Sequence, residues 1–189
     1  MMRHLALLLM LAGPAFAGAG PSFAGSSETA GQSFSAAPMQ LLERGVICQI
    51  TAEGARPAPE TEQGVINLVE PGRRIDVATE VVPAALGISF GIRFMLADDA
   101  PPMALRVVVT HPPMGSRAIE RESWVTNAVP GAPGLSLFTF EYPYEMVEGA
   151  WTMALEAGGE RLLEQHFSVV PAEAAAPVLA ACAGPAPMS

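Results

Sequence analysis

The strongest pattern in this chain is alternation. Ile88, Phe90, Ile92, Phe94 and Leu96 are apolar at every second position, with Ser89, Gly91, Arg93 and Met95 between them. A period of two places the first set on one face of a β-strand and the second on the other. Leu105, Val107 and Val109 repeat it, with Arg106 and Thr110 opposite. Phe138, Phe140 and Tyr142 share a face of a later strand. Trp151, Met153 and Leu155 share another, against Thr152, Ala154 and Glu156. Gly158-Gly159 then leads into Leu163, Phe167 and Val169, and a two-residue hairpin turn needs the positive φ that glycine adopts cheaply. Arg117 to Asn127 is a weaker strand with Glu120, Arg121 and Glu122 inside it, charging that protects a sheet edge. No stretch between Met39 and Val170 holds a helical period beyond a turn or two. About seven to eight short strands separated by Pro and Gly turns predict an all-β fold, an antiparallel immunoglobulin-like β-sandwich, with a small barrel as the alternative.

The alternation stops at both ends. Arg3-His4, the apolar run Leu5 to Ala12, the break at Gly13-Pro14 and the small residues of Ala15-Phe16-Ala17 have the layout of a secretory signal peptide over residues 1–17. The run is less than half of the roughly 20 residues that cross a bilayer as a helix. Cleavage is expected after Ala17, with Ala24 as the alternative. No Cys follows the small residues, the first being Cys48, and Arg3 has no adjacent arginine, so neither a lipoprotein nor a twin-arginine signal is read. The expectation is ordinary export to a periplasm or the exterior, with no membrane insertion afterwards. Residues 18–38 are rich in Gly, Ser and Ala, and residues 171–189 in Ala and Pro. Neither shows a period that would bury a face, so a flexible linker and tail are expected around a 39–170 domain.

Charge removes several function classes. The formal net charge is −9, and all ten basic residues are arginine. An acidic chain is repelled by nucleic-acid phosphates and anionic lipid, so neither is expected as a partner. Without lysine, Schiff-base chemistry and the phosphate loop that ends in Lys are excluded. Cys48 and Cys182 are the only cysteines, and in an exported protein a disulfide between them is the expectation.

Two blocks carry a resemblance. Val82-Pro83-Ala84-Ala85-Leu86-Gly87-Ile88-Ser89-Phe90-Gly91-Ile92-Arg93-Phe94 resembles the "(I/V)-P-A-x-x-G-x-x-F-G-x-R-aromatic" block of a bacterial domain-of-unknown-function family, number 3859. Tyr144-Glu145-Met146-Val147-Glu148-Gly149-Ala150-Trp151-Thr152 resembles its "W-E-L-V-P-G-E-W-T" block, with Glu148 and Ala150 departing from it. Gly45-Val46 resembles the family's opening Gly-Ile. The likeness spans about Arg44 to Val170. It implies a compact, mostly β domain, often found on exported proteins, and no activity.

The residues that could carry chemistry are few. Gly87-Ile88-Ser89-Phe90-Gly91 matches a nucleophile elbow, with Asp98 or Asp99 and His111 downstream, but that elbow needs a helix after the Ser, and here a strand follows. His111 ends a strand before Pro112-Pro113, at a rim where ligands bind. His166 lies on a polar face, and neither has a spaced partner, so no metal site is read. Tyr142, Tyr144, Glu141 and Glu145 gather around Pro143, with Glu148 beyond; aromatics beside carboxylates can hold a sugar or a cation. The methionines lack the close Met-x-Met repeats of a copper site. The reading is a non-catalytic exported domain that binds an envelope protein or a saccharide, through Tyr142, Tyr144 and His111, with no cofactor. The alternatives are a small hydrolase using rim carboxylates, or a structural assembly factor of the envelope. A deep pocket holding Glu141, Glu145 or His111 with another acid would favour the hydrolase.

Overall fold

The structure is a computed structural model that describes residues 32–70 and 72–184. The signal peptide and both cleavage positions read from the sequence lie outside the described residues. In chain order the strands are β1 (Phe34–Ser35), β2 (Met39–Ile47), β3 (Gly54–Pro57), β4 (Val65–Leu68) and β5 (Val81–Ala84). Then follow β6 (Ser89–Leu96), β7 (Met103–Met114), β8 (Ile119–Ala128), β9 (Pro133–Thr139), β10 (Gly149–Ala157) and β11 (Glu160–Pro171). A short helix, α1 (Ala176–Cys182), comes last.

Two sheets enclose the core. One runs β1-β11-β10-β7-β8, with β5 also paired to β11; the other is β2-β6-β9; β3 and β4 form a separate hairpin. Every named pairing is antiparallel except β5 with β11. This is the antiparallel sandwich that the alternation predicts, and the two sheets do not close into a barrel. Its strands outnumber the seven or eight expected, because β1, β3, β4 and β5 are too short to show a period.

The inward set of each strand meets its counterpart. Phe90 lies at the centre, with ring centroids of Phe138, Phe140, Trp151 and Phe167 all within 5.2 to 5.9 Å. Tilted and edge-on pairs at such spacing add to the burial of apolar area. Trp151 is fully buried, and its indole N–H donates to the Val147 carbonyl at 2.9 Å, which satisfies its one polar group. Gly158 and Gly159 join β10 to β11 with φ of 59° and 86°, as the hairpin reading requires. Gly91 answers a different need: a Cβ there would stand 2.1 Å from the Ser136 carbonyl oxygen, so glycine lets β9 lie close against β6.

Of the expected linker and tail, residues 18–31 and 185–189 lie outside the described residues, and the described parts are ordered against the sheet. Phe34–Ser35 pairs with β11, and Ser33 Oγ accepts from the His166 N–H. After β11, residues Ala172–Ala175 form a 3-10 turn that runs into α1. Ala175 and Val178 are buried, with Leu179 and Cys182 packed beside them. These four positions follow the i, i+3, i+4, i+7 spacing of a helix face. The Ala/Pro composition obscured that stripe, which spans only eight residues. Cys182 is bonded to Cys48, Cα–Cα 5.1 Å, so the segment is tied over the end of β2. No helix among the described residues is long and apolar enough to cross a membrane.

Candidate functional site

β8 and β9 are the edge strands on one side of the sandwich, and the β3–β4 hairpin lies across the gap between them. Alternation on β8 turns Glu122, Trp124 and Thr126 inward; on β9 it turns Ser136 and Phe138 inward. The hairpin is pinned to β8: Arg56 Nη2 donates to the Val125 carbonyl, and the Ser123 N–H donates to the Glu60 carbonyl at 3.1 Å. Ion pairs of Arg106 with Glu60 and Arg117 with Glu62, both 2.8 Å, add to the seam. On the β9 side the hairpin is held only by side chains, with Asn67 Nδ2 donating to Glu141 Oε1 at 2.7 Å. A cleft of about 210 Å³ remains between β4 and β9, floored by Trp124 and Phe138. A second hollow of about 390 Å³ shares Asn67, Thr139 and Glu141 with it, so the groove continues along β9.

Carboxylates dominate the polar lining. Glu122 is only 4% exposed and takes the Glu62 N–H on Oε1. Burial pushes its pKa above the ordinary carboxylate value, and the charges of Glu145 and Glu62 push the same way. Glu145, 3% exposed, is held by its own corner. Its Oε2 accepts from the Glu141 and Tyr142 N–H groups at 2.6 and 2.9 Å, and its Oε1 from Gln63 Nε2 at 3.0 Å. Ser136 is buried, lines the cleft, and its Oγ has no hydrogen-bond partner.

The structure brings part of the sequence-read constellation together. Tyr142 and Tyr144 stack at 5.6 Å, remain exposed, and stand beside the cleft, where the Tyr144 hydroxyl accepts from Gln63. Glu141 and Glu145 enter the lining itself. His111 does not join them and is not at a strand end, because β7 continues to Met114. It is 6% exposed, with its ring 4.6 Å from Trp151 and 6.4 Å from Phe138, on the core side. Nδ1 bonds the Pro112 carbonyl at 2.8 Å, and burial lowers its pKa. Ser89 is fully buried at the start of β6, bonded to Thr139 Oγ1 at 2.8 Å and followed by strand, so no nucleophile elbow forms. His166 sits beside Glu164 at 2.8 Å, away from the cleft lining. Among the described residues no three His, Cys, Asp or Glu side chains gather as ligands for a metal ion.

Glu122, Trp124 and Ser136 were not read as site residues from sequence. A signal existed: Glu122 is in phase with Trp124, Thr126 and Ala128, so a carboxylate on that face must enter the sandwich if Trp124 does. The run Glu120-Arg121-Glu122 masked it by resembling an outward charged edge.

Compared with known proteins, the chain has no match among the curated ones. In structure it is similar to an immunoglobulin-like protein from Pseudomonas aeruginosa, at 21% identity and a TM-score of 0.45, over 75% of this chain and 99% of that one. That likeness concerns the fold alone. The family described as Domain of unknown function (DUF3859) matches residues 36–169, from just after β1 almost to the end of β11, and the chain belongs to that family.

Proposed function

We propose that this protein is an exported, non-catalytic binding module and that the cleft between β4 and β9 is its ligand site. The observation that carries this reading is the lining of that cleft, where the 4% exposed carboxyl of Glu122 stands with the Trp124 ring in an open groove. A buried carboxyl is costly unless it is paired, and Glu122 has one amide donor, so a ligand that supplies a further donor recovers part of that cost. Export is supported by the signal-like N-terminus and by a disulfide, which persists in oxidising compartments.

The hydrolase reading has one observation behind it, the meeting of Glu122, Glu141 and Glu145 in one cleft. A glycosidase needs a second carboxylate free to attack or to activate water. Here both oxygens of Glu145 accept structural hydrogen bonds, and Glu141 is engaged by Asn67. These bonds favour holding a ligand over turning it over.

The test follows the two indole N–H signals of the labelled full chain. Trp124 lines the cleft and Trp151 is sealed in the core, so a ligand in the cleft moves the first and leaves the second. Peptide and oligosaccharide pools are added in turn, and both pools are analysed for products. A shifted Trp124 signal with intact ligand is expected. Turnover abolished by Glu122→Gln would instead establish the enzyme, and an unmoved Trp124 with every pool would remove the site.

A further inference from the structure

We propose that the cleft takes an extended peptide segment bearing a lysine or arginine, added as a strand to the open edge of β9 with the cationic side chain turned toward Glu122. This rests on the reading of the cleft as the ligand site.

The backbone supports an extended peptide. The Phe140 N–H donates to the Ile88 carbonyl across the β6–β9 junction. In an antiparallel ladder the bonding direction alternates by residue, so Phe138 and Ser136 also aim their N–H and C=O groups at β6. Leu135, Leu137 and Thr139 therefore aim theirs the other way, toward the cleft, and no described group bonds them there. Across the cleft, the Gly64 and Leu68 carbonyls accept from Ala58 and Glu53 on the β3 side. Hence Asn67 on β4 also presents its backbone groups to the cleft. Two open edges thus face one another along one groove. An added strand satisfies such an edge with main-chain hydrogen bonds and sends alternate side chains to opposite faces.

The side chains select the partner. Every second side chain of the added strand would enter between the sheets, where Glu122, Trp124 and Ser136 line the cleft. An alkyl stem packs on the Trp124 ring, as lysine and arginine stems do on aromatic surface. Its charged end finds an acceptor in the Glu122 carboxyl. Glu141 and Glu145 add negative potential, while Arg56 in the same lining donates from Nη2 to Val125 and keeps a buried Nε without a partner. A saccharide could use these side chains but would leave the row of β9 amides unbonded.

The experiment is amide exchange and indole shifts on the labelled full chain. Four probes are compared: a pool of six-residue alternating Val/Thr peptides with one central Lys or Arg, the same pool with norleucine there, lysine methyl ester, and a neutral oligosaccharide pool. The basic pool should slow exchange at Leu135, Leu137 and Thr139 and bind about tenfold or more tighter than the norleucine pool, as a charged hydrogen bond allows. Leu137→Pro removes an outward N–H at an edge position that tolerates proline, and should abolish binding while the melting temperature holds. Glu122→Gln should narrow the gap between the two peptide pools. If Leu137→Pro fails to fold, wild-type amide protection decides alone. Movement of Trp124 with the ester or oligosaccharides, without β9 protection by peptides, overturns strand addition and leaves the cleft as a site. No response to any probe removes both.

Discussion

Breaking the Cys48–Cys182 bridge measures how far a seven-residue helix belongs to the domain. The bridge closes a separation of 134 residues. On the chain-entropy relation, a loop of that size restricts the unfolded ensemble by about 5 kcal/mol at 25 °C, and measured losses fall at about 2 to 5. α1 adds little of its own, since an isolated helix of seven residues is far below the roughly 12 needed for marginal stability. What docks it is the burial of Ala175 and Val178 with Leu179 beside them. The Cys48→Ala, Cys182→Ala double variant is therefore expected to fold, to lose about 2 to 5 kcal/mol in urea unfolding followed by tryptophan fluorescence, and to show a higher m-value because its unfolded chain is no longer held compact. Exchange at the α1 amides should accelerate more than at β6 or β10, because the helix can then open locally. A loss below about 0.5 kcal/mol, with α1 protection unchanged, would show that packing alone holds the segment and would refute the reasoning.

Three further outcomes follow from buried groups. His111 has its pKa lowered in the fold, so the unfolded chain binds a proton first as pH falls below its ordinary value of 6.5. Wild-type stability relative to His111→Gln should then drop by about 1.4 kcal/mol per pH unit below that point, until the folded-state pKa is reached; a flat difference in urea midpoints would contradict it. Glu122 has the opposite sign: its raised folded pKa makes its contribution full below pH 4.5 and lost as pH rises through the folded value. Relative to Glu122→Gln, the wild type should weaken by about 1.4 kcal/mol per pH unit over that window and then level off, leaving the variant the more stable at neutral pH. Gly91→Ala should cost about 3 kcal/mol by thermal melting, since its Cβ meets the Ser136 carbonyl at 2.1 Å, whereas Gly158→Ala, with open space around it, should cost about 1 for its φ alone.

The long strands were legible because each buries one face against the opposite sheet, and burial of that kind writes a period of two. Trp151, Phe138 and Phe140 were visible as core for the same reason, but Tyr142, read on the same strand face, is exposed because β9 ends at Thr139. The resemblance carried by Gly91 and Trp151 has a packing basis: one residue leaves room for a carbonyl, the other fills the centre and bonds Val147. His111 misled because Pro112-Pro113 suggests a strand end, while β7 runs through both prolines to Met114.

The sequence by itself determined the sandwich, an edge strand within Arg117 to Asn127, the Gly158-Gly159 hairpin and the grouping of Tyr142, Tyr144 and Glu145, because these depend on neighbours within a few residues. Only the tertiary structure decided that Glu122 and Glu145 line one cleft, that Ser136 is left without a partner, and that this cleft runs between β4 and β9. Those relations join segments tens of residues apart through a hairpin too short to show a period. A cleft formed between separate elements leaves no repeating mark along the chain.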